Sequence, residues 1–265
     1  MNISILGCGW LGFPLAKHLI KKGHHIKGAT TSPEKLHLLE AENIAPFLVR
    51  LIPQLENPEE VKSFWNSDIL VLNIPPGRKR YNVIDFHTQQ IRSVTEAIAN
   101  SPINFVVFVS STSVYPKFPG AVSEKDAVPG KAGRDSGNAL LEAEKMLMEN
   151  TSFETTVVRF GGLLGYGRNP AKHLAGRKDL PNGNAPVNMI HRDDCISIIT
   201  QIIEDKITGE VFNAVSDDHS PRRNYYNEAV NKLGLEPPTF VKDKEENHKL
   251  VKNDKLKSYL GYAFK

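Results

Sequence analysis

Two textures of apolar and polar residues alternate along the first 160 positions of the chain. Runs dense in Ile, Val, Leu and Phe read as strands at 2–6 (NISIL), 25–30 (HIKGAT), 45–51 (APFLVRL), 68–74 (DILVLNI), 105–111 (FVVFVSS) and 155–160 (TTVVRF). Between them, apolar residues recur at helical spacing in segments that begin near Leu11, Pro33, Pro58, Asp85 and Gly137. Runs such as ILVLNI and FVVFVS show no polar alternation, so both of their faces must be covered, as in a parallel sheet between layers of helices. The alternation predicts an α/β fold with a Rossmann-type doubly wound parallel sheet.

After Phe160 the periodicity fades. The stretch GGLLGYGRNPAKHLAGRKDLPNGNAP is rich in Gly and Pro and reads as loop lying over the sheet. Helical spacing resumes at 193–205 and 222–234, with a strand between them at 209–215. The expected organisation is a Rossmann domain over 1–165 and a small C-terminal substrate lobe over 166–265, with strand 209–215 returning to the main sheet. The charged last 25 residues read as a solvated face.

Composition narrows the function classes. The 33 basic residues are spread among 30 acidic ones for a net charge of +3, which argues against nucleic acid as a partner. No apolar run approaches the ~20 residues of a membrane span, and the first residues enter a strand with no leader-like pattern. The two cysteines, Cys8 in a glycine turn and Cys195 on an apolar helix pattern, suggest a reducing compartment, the cytoplasm. The nine histidines show no ligand spacing with Cys or carboxylates, so no metal is expected.

The strongest local signal is ISILGCGWLGFPLAKHL, where Gly7, Gly9 and Gly12 form G-x-G-x-x-G between an apolar strand and an amphipathic helix. Gly7 allows the tight turn, Gly9 lets backbone approach a pyrophosphate, and Gly12 allows close packing of helix on strand. Gly7, Gly9, Trp10, Leu11 and Gly12 are therefore candidate cofactor contacts, with the helix N-terminus facing the phosphates. The second strand ends in Thr30, Thr31 and Ser32, where a carboxylate would bind the ribose 2′-hydroxyl of NAD. Hydroxyls there, with Lys35 nearby, favour NADP, with NAD as the alternative. Ile74 and Pro75 after the fourth strand and Ser110 in the fifth are further expected to border the cofactor.

Five ordered motifs, FVVFVSSTSVYP (105–116), VVRFGGLLGYG (157–167), VNMIHRDDC (187–195), GEVFNAV (209–215) and NDKLKSYLGYAF (253–264), carry a resemblance over almost the whole chain. Together with the glycine turn they resemble the extended short-chain dehydrogenases/reductases of the NAD-dependent epimerase/dehydratase group. The resemblance implies an oxidoreductase or epimerase acting on a small polar or sugar-like molecule. It puts the active-site serine, which hydrogen-bonds the reacting oxygen, at Ser111. It also implies a Y-x-x-x-K pair at the start of the next helix, where this chain has Ser136 and Leu140.

Ser is too weak an acid to replace a phenol beside an ammonium, and Leu donates nothing. Tyr115 is a candidate replacement donor, and His191, Asn188 and Arg159 are candidate substrate contacts, whereas Asp194 reads as a helix-cap or interdomain residue. Arg78, Arg80, Arg222 and Arg223 lie in basic stretches that could meet an anion or simply face solvent. Two functions remain open: an enzyme with a non-standard proton donor, and a non-catalytic NAD(P)-binding redox sensor or regulatory protein.

Overall fold

The computed structural model describes residues 1–77, 80–116, 120–242 and 248–265. In chain order the elements are β1 (Asn2–Leu6), α1 (Gly12–Lys21), β2 (His25–Thr30), α2 (Leu36–Glu40), β3 (Ala45–Leu48), β4 (Ile69–Leu72), α3 (Val83–Ile98), β5 (Phe105–Ser111), β6 (Gly120–Val122), α4 (Asp135–Met148) and β7 (Glu154–Phe160). They continue with β8 (Gly162–Leu164), β9 (Met189–His191), α5 (Arg192–Glu204), β10 (Val211–Ala214), α6 (Arg222–Asn231), β11 (Lys249–Val251) and α7 (Asp254–Leu260).

Seven strands form the central sheet in the order β10-β7-β5-β4-β1-β2-β3, and every neighbouring pair is parallel. This is the doubly wound α/β sheet that the alternation predicts. The apolar strands explain the layering. All four residues of β4 are buried, as are Phe105–Phe108 of β5, so helices must cover both faces. One apolar layer joins α1 and α5 to the sheet through Leu15, Leu19, Ile198 and Ile202. The other seats α3 and α4 through Ile91, Val94, Leu140 and Leu147. Each such side chain contributes roughly 1.5–3 kcal/mol on burial.

One element differs from expectation. The segment near Pro58 forms turns and a short 3-10 helix at Lys62–Trp65 rather than an α-helix, with Phe64 and Trp65 buried against the core. Four residues at this tight pitch suffice to plug that edge of the sheet, with the Phe64 and Phe47 ring centroids 5.4 Å apart in a tilted contact. No helix among the described residues is long and apolar enough to cross a membrane.

Chain order reverses between β1 and β4. Strands β1, β2 and β3 build outward on one side, and β4, β5, β7 and β10 on the other. The carboxyl ends of β1 and β4 therefore flank the crevice in which open α/β sheets take ligands. Two short parallel pairs, β8 with β9 and β6 with β11, are built from the connections that follow β5 and β7 and from the C-terminal third of the chain.

Candidate functional site

The glycine turn lies at the chain reversal, and its three glycines meet different surroundings. Gly7 has φ +109°, and a Cβ there would lie 2.3 Å from the Asn73 carbonyl oxygen. Asn73 follows β4 and fixes the turn further, its Nδ2 donating to Gly7 O at 3.0 Å. At Gly12 a Cβ would fall 2.2 Å from Gly7 O, so helix α1 can approach the turn only without a side chain. At Gly9 a Cβ would meet no protein atom within 4 Å. Packing thus accounts for Gly7 and Gly12, and leaves Gly9 bordering open space.

Helix α1 begins beside that space with no side-chain cap and no acidic residue in its first turn. An uncapped helix start offers N–H groups and partial positive charge to an anion. The residues present therefore fit a pyrophosphate. Leu11 is buried, whereas Trp10 is partly exposed and has two guanidinium groups near its ring, Arg168 at 5.2 Å and Arg192 at 5.0 Å from the centroid. Arg192 Nη1 donates to Trp10 O at 3.2 Å, and Trp10 Nε1 donates to Tyr166 O at 3.4 Å. Cys8 faces inward, where burial pushes its thiol up to about 12, so it is an unreactive packing residue.

At the end of β2, the Ser32 amide donates to Thr30 Oγ1 at 3.2 Å and folds the Thr30–Ser32 segment into a compact turn. Arg50, which the sequence reading left out, reaches this turn from the neighbouring strand: its Nε donates to Thr31 O at 3.4 Å. Arg50 lies two residues beyond Leu48, which stands opposite Thr30 in the parallel register. Ile74 is half-buried and Pro75 exposed just beyond β4, bordering the same crevice. Arg80 lies with its guanidinium carbon 3.7 Å from the Phe86 ring centroid, and Arg78 lies outside the described residues.

Ser110 and Ser111 occupy opposite faces of β5, as alternation requires. Ser111 is half-buried, and its Oγ accepts from the Ser113 amide at 3.2 Å at the head of the 3-10 turn Thr112–Val114. Ser110 is buried and its hydroxyl donates to Glu144 Oε1 at 2.5 Å.

Arg159 and Tyr115 belong to the same buried network. Arg159 donates from Nε to both Glu144 oxygens (3.1 and 3.2 Å) and from Nη2 to Oε2 at 2.6 Å. Its Nη1 donates to Tyr115 O–H at 3.0 Å and to Glu124 O at 2.8 Å. The Tyr115 hydroxyl in turn donates to Asn213 Oδ1 at 2.6 Å. Arg159 is 5% exposed and Tyr115 1%, so both are hydrogen-bonded internal groups. Burial raises the Tyr115 phenol above its ordinary value, which opposes acid catalysis further.

Helix α4 starts against the Ser111 turn. A Cβ on Gly137 would lie 2.3 Å from Ser113 O, and Ser136 and Leu140 are both buried. His191 caps α5, accepting from the Asp193 amide at 3.3 Å, and is half-buried beside Tyr166. Asp194 accepts from the Tyr262 hydroxyl at 2.8 Å and the Lys265 amide at 3.3 Å, tying the end of the chain to α5. Asn188 uses both ends of its amide on β11: Nδ2 donates to Lys249 O at 3.0 Å, and Oδ1 accepts from the Val251 amide at 2.8 Å. Arg222 and Arg223 are half-buried on α6 and donate to Pro181 O and Val241 O at 3.3 and 3.5 Å. Among the described residues no group of three or more His, Cys, Asp and Glu is placed to hold a metal ion.

No family model matches the chain. The curated protein YeeZ of Escherichia coli strain K12 is 29% identical over 265 residues, covering 99% of this chain and 95% of YeeZ. Among solved structures, the UDP-glucose 4-epimerase of Thermotoga maritima with UDP-glucose superposes with a TM-score of 0.80 at 17% identity, covering 100% of this chain and 94% of the epimerase. A short-chain dehydrogenase/reductase superfamily protein from Agrobacterium tumefaciens with bound NAD gives 0.78 at 14% identity, covering 100% and 93%. The chain thus has the Rossmann-type fold of the epimerases and short-chain dehydrogenases/reductases, with Ser136 and Leu140 where the resemblance led us to expect Tyr and Lys.

Proposed function

We propose that the protein binds a nicotinamide dinucleotide, preferentially NADP, and acts as an oxidoreductase or epimerase on a small polar or sugar-like substrate. The open space at Gly9 carries the reading. It lies at the chain reversal, beside an uncapped helix, and no protein atom fills it. Solved structures of the same fold hold NAD or a UDP-sugar, which supports a ligand of this size in the crevice.

The preference for NADP rests on charge. The Thr30–Ser32 turn presents hydroxyls, no carboxylate belongs to it, and Arg50 lies against its backbone. A 2′-phosphate there would take hydrogen bonds from the hydroxyls and a charge-assisted one from the guanidinium. When bound, the nicotinamide supplies or accepts the hydride. Ser111, half-buried at the end of β5, hydrogen-bonds the reacting oxygen. Two buried thiols and the absence of any disulfide among the described residues are in keeping with a cytoplasmic protein.

Thermal melting with NADP, NAD and ATP tests the cofactor: NADP should raise Tm most, and an equal response to all three would sink the preference. NADPH oxidation across a panel of carbonyl compounds, repeated with Ser111→Ala, tests the chemistry. The burial of Ser136 and Leu140 favours a second reading, a dinucleotide-binding redox sensor without turnover. Tight NADPH binding with no hydride exchange over the whole panel would establish it.

A further inference from the structure

Lys249 is the first residue of β11, far along the chain from the Ser111 turn yet in contact with it. Its ammonium donates to Thr112 O at 2.8 Å, one residue on from Ser111, and lies 5.6 Å from the Tyr115 ring centroid. Among the described residues no carboxylate pairs with it, although it is only partly exposed. A lysine held out of water without a counter-ion loses hydration that one carbonyl does not replace.

The strand that carries it is fixed on several sides. β11 pairs in parallel with β6, Lys249 opposite Gly120 and Val251 opposite Val122. Asn188 bonds the backbone of Lys249 and Val251, and Asn253 just beyond donates to Val215 O at 2.9 Å and Asp217 Oδ1 at 2.8 Å. Val251, on the same face as Lys249, is fully buried. Asn188 thus holds the lysine's backbone in place.

We propose that Lys249, together with the Ser111 hydroxyl, forms an oxyanion-binding subsite at the carboxyl end of β5, so that the substrate is a small molecule bearing a carboxylate or a phosphate. The charge that the resemblance expects from a lysine on α4 is supplied here from the C-terminal part of the chain. Burial lowers the Lys249 ammonium from its ordinary value, and among the described residues no carboxylate offsets that cost, as an entering anion would. Placing this subsite in the cleft of an enzyme rests on the proposed function; the binding of an anion at Lys249 does not.

The test is competitive acetylation of the whole protein by acetic anhydride, read by mass spectrometry at Lys249, with and without NADP. Malonate and inorganic phosphate are added in separate arms. At ligand concentrations about ten times Kd, Lys249 modification should slow by about tenfold while exposed lysines are unaffected. The protecting anion identifies the substrate group. Calorimetric titration of the same anions should show binding in wild type and Lys249→Arg, and none in Lys249→Met.

Equal labelling of Lys249 in all arms, or equal anion binding by Lys249→Met, overturns the proposal. Should Lys249→Met fail to fold, the protection pattern of the wild-type protein still decides. Melting of the same samples with NADP keeps the two readings apart: anion protection without a cofactor shift leaves the subsite standing and removes the dinucleotide.

Discussion

The Tyr115 hydroxyl donates to Asn213 Oδ1 at 2.6 Å, joining residues 98 positions apart within the buried interior. That bond makes Tyr115 a structural residue. Tyr115→Phe should lower stability by about 1–3 kcal/mol, because it orphans Asn213 Oδ1 and removes an acceptor from Arg159. Urea unfolding measures it. Unchanged NADP affinity is expected, and loss of affinity with undiminished stability would return Tyr115 to the ligand site.

Breaking the neighbouring ion pair should cost more. Glu144 and Arg159 are each 6% exposed as side chains, and the pair is bidentate. Glu144→Ala leaves a buried guanidinium uncompensated, a loss of about 3–5 kcal/mol. A change below about 1 kcal/mol in the unfolding free energy, within the range of surface substitutions, would contradict the arrangement.

The glycines should separate folding from binding. Gly12→Ala forces its Cβ against Gly7 O and should destabilise the protein, visible as a lower Tm. Gly9→Ala meets no protein atom, so stability should shift by at most about 0.5 kcal/mol. Its NADP affinity should nevertheless fall, as calorimetry would show.

Arg50 should set cofactor choice. Charge-assisted hydrogen bonds contribute about 1.5–3 kcal/mol, so Arg50→Ala should weaken NADP by roughly 10- to 150-fold and leave NAD nearly unchanged. Equal weakening of both dinucleotides would point to damage of the turn instead.

Acid should weaken the fold through His87. Its side chain is fully buried, Nδ1 lies 3.2 Å from Gln90 Oε1, and burial lowers its pKa below the ordinary 6.5. The folded state thus binds the proton less readily than the unfolded chain. Stability is complete above about pH 6.5, where the unfolded imidazole is neutral, and falls as pH drops through and below that value. In His87→Leu this part of the loss should disappear. His18 and His24, also lowered by burial, remain in both proteins, so the difference between the two urea-midpoint profiles isolates His87.

The sheet was legible because β4 and β5 are continuous apolar runs, and the turn because three glycines stand at fixed spacing before a helical pattern. The absent Tyr and Lys were equally plain, since Ser136 and Leu140 could be counted. Arg50 and Lys249 were not, because each acts on a turn supplied by another strand, and only the pairing of β2 with β3 and of β6 with β11 brings them there. The partners of Tyr115 and Arg159 were hidden for a related reason: alternation tells which residues share a face, not which polar partners that face supplies.

The bond from Arg192 to the Trp10 carbonyl spans 182 residues. During synthesis, strands β1 to β5 can pair as they emerge, but the Trp10 carbonyl lacks its Arg192 donor until α5 has docked. A nascent chain halted before Arg192 would carry the glycine turn without its clamp. The dinucleotide should therefore be a late ligand, selecting completed molecules over partial ones, and its presence should protect finished protein from proteolysis far more than a fragment ending near residue 165.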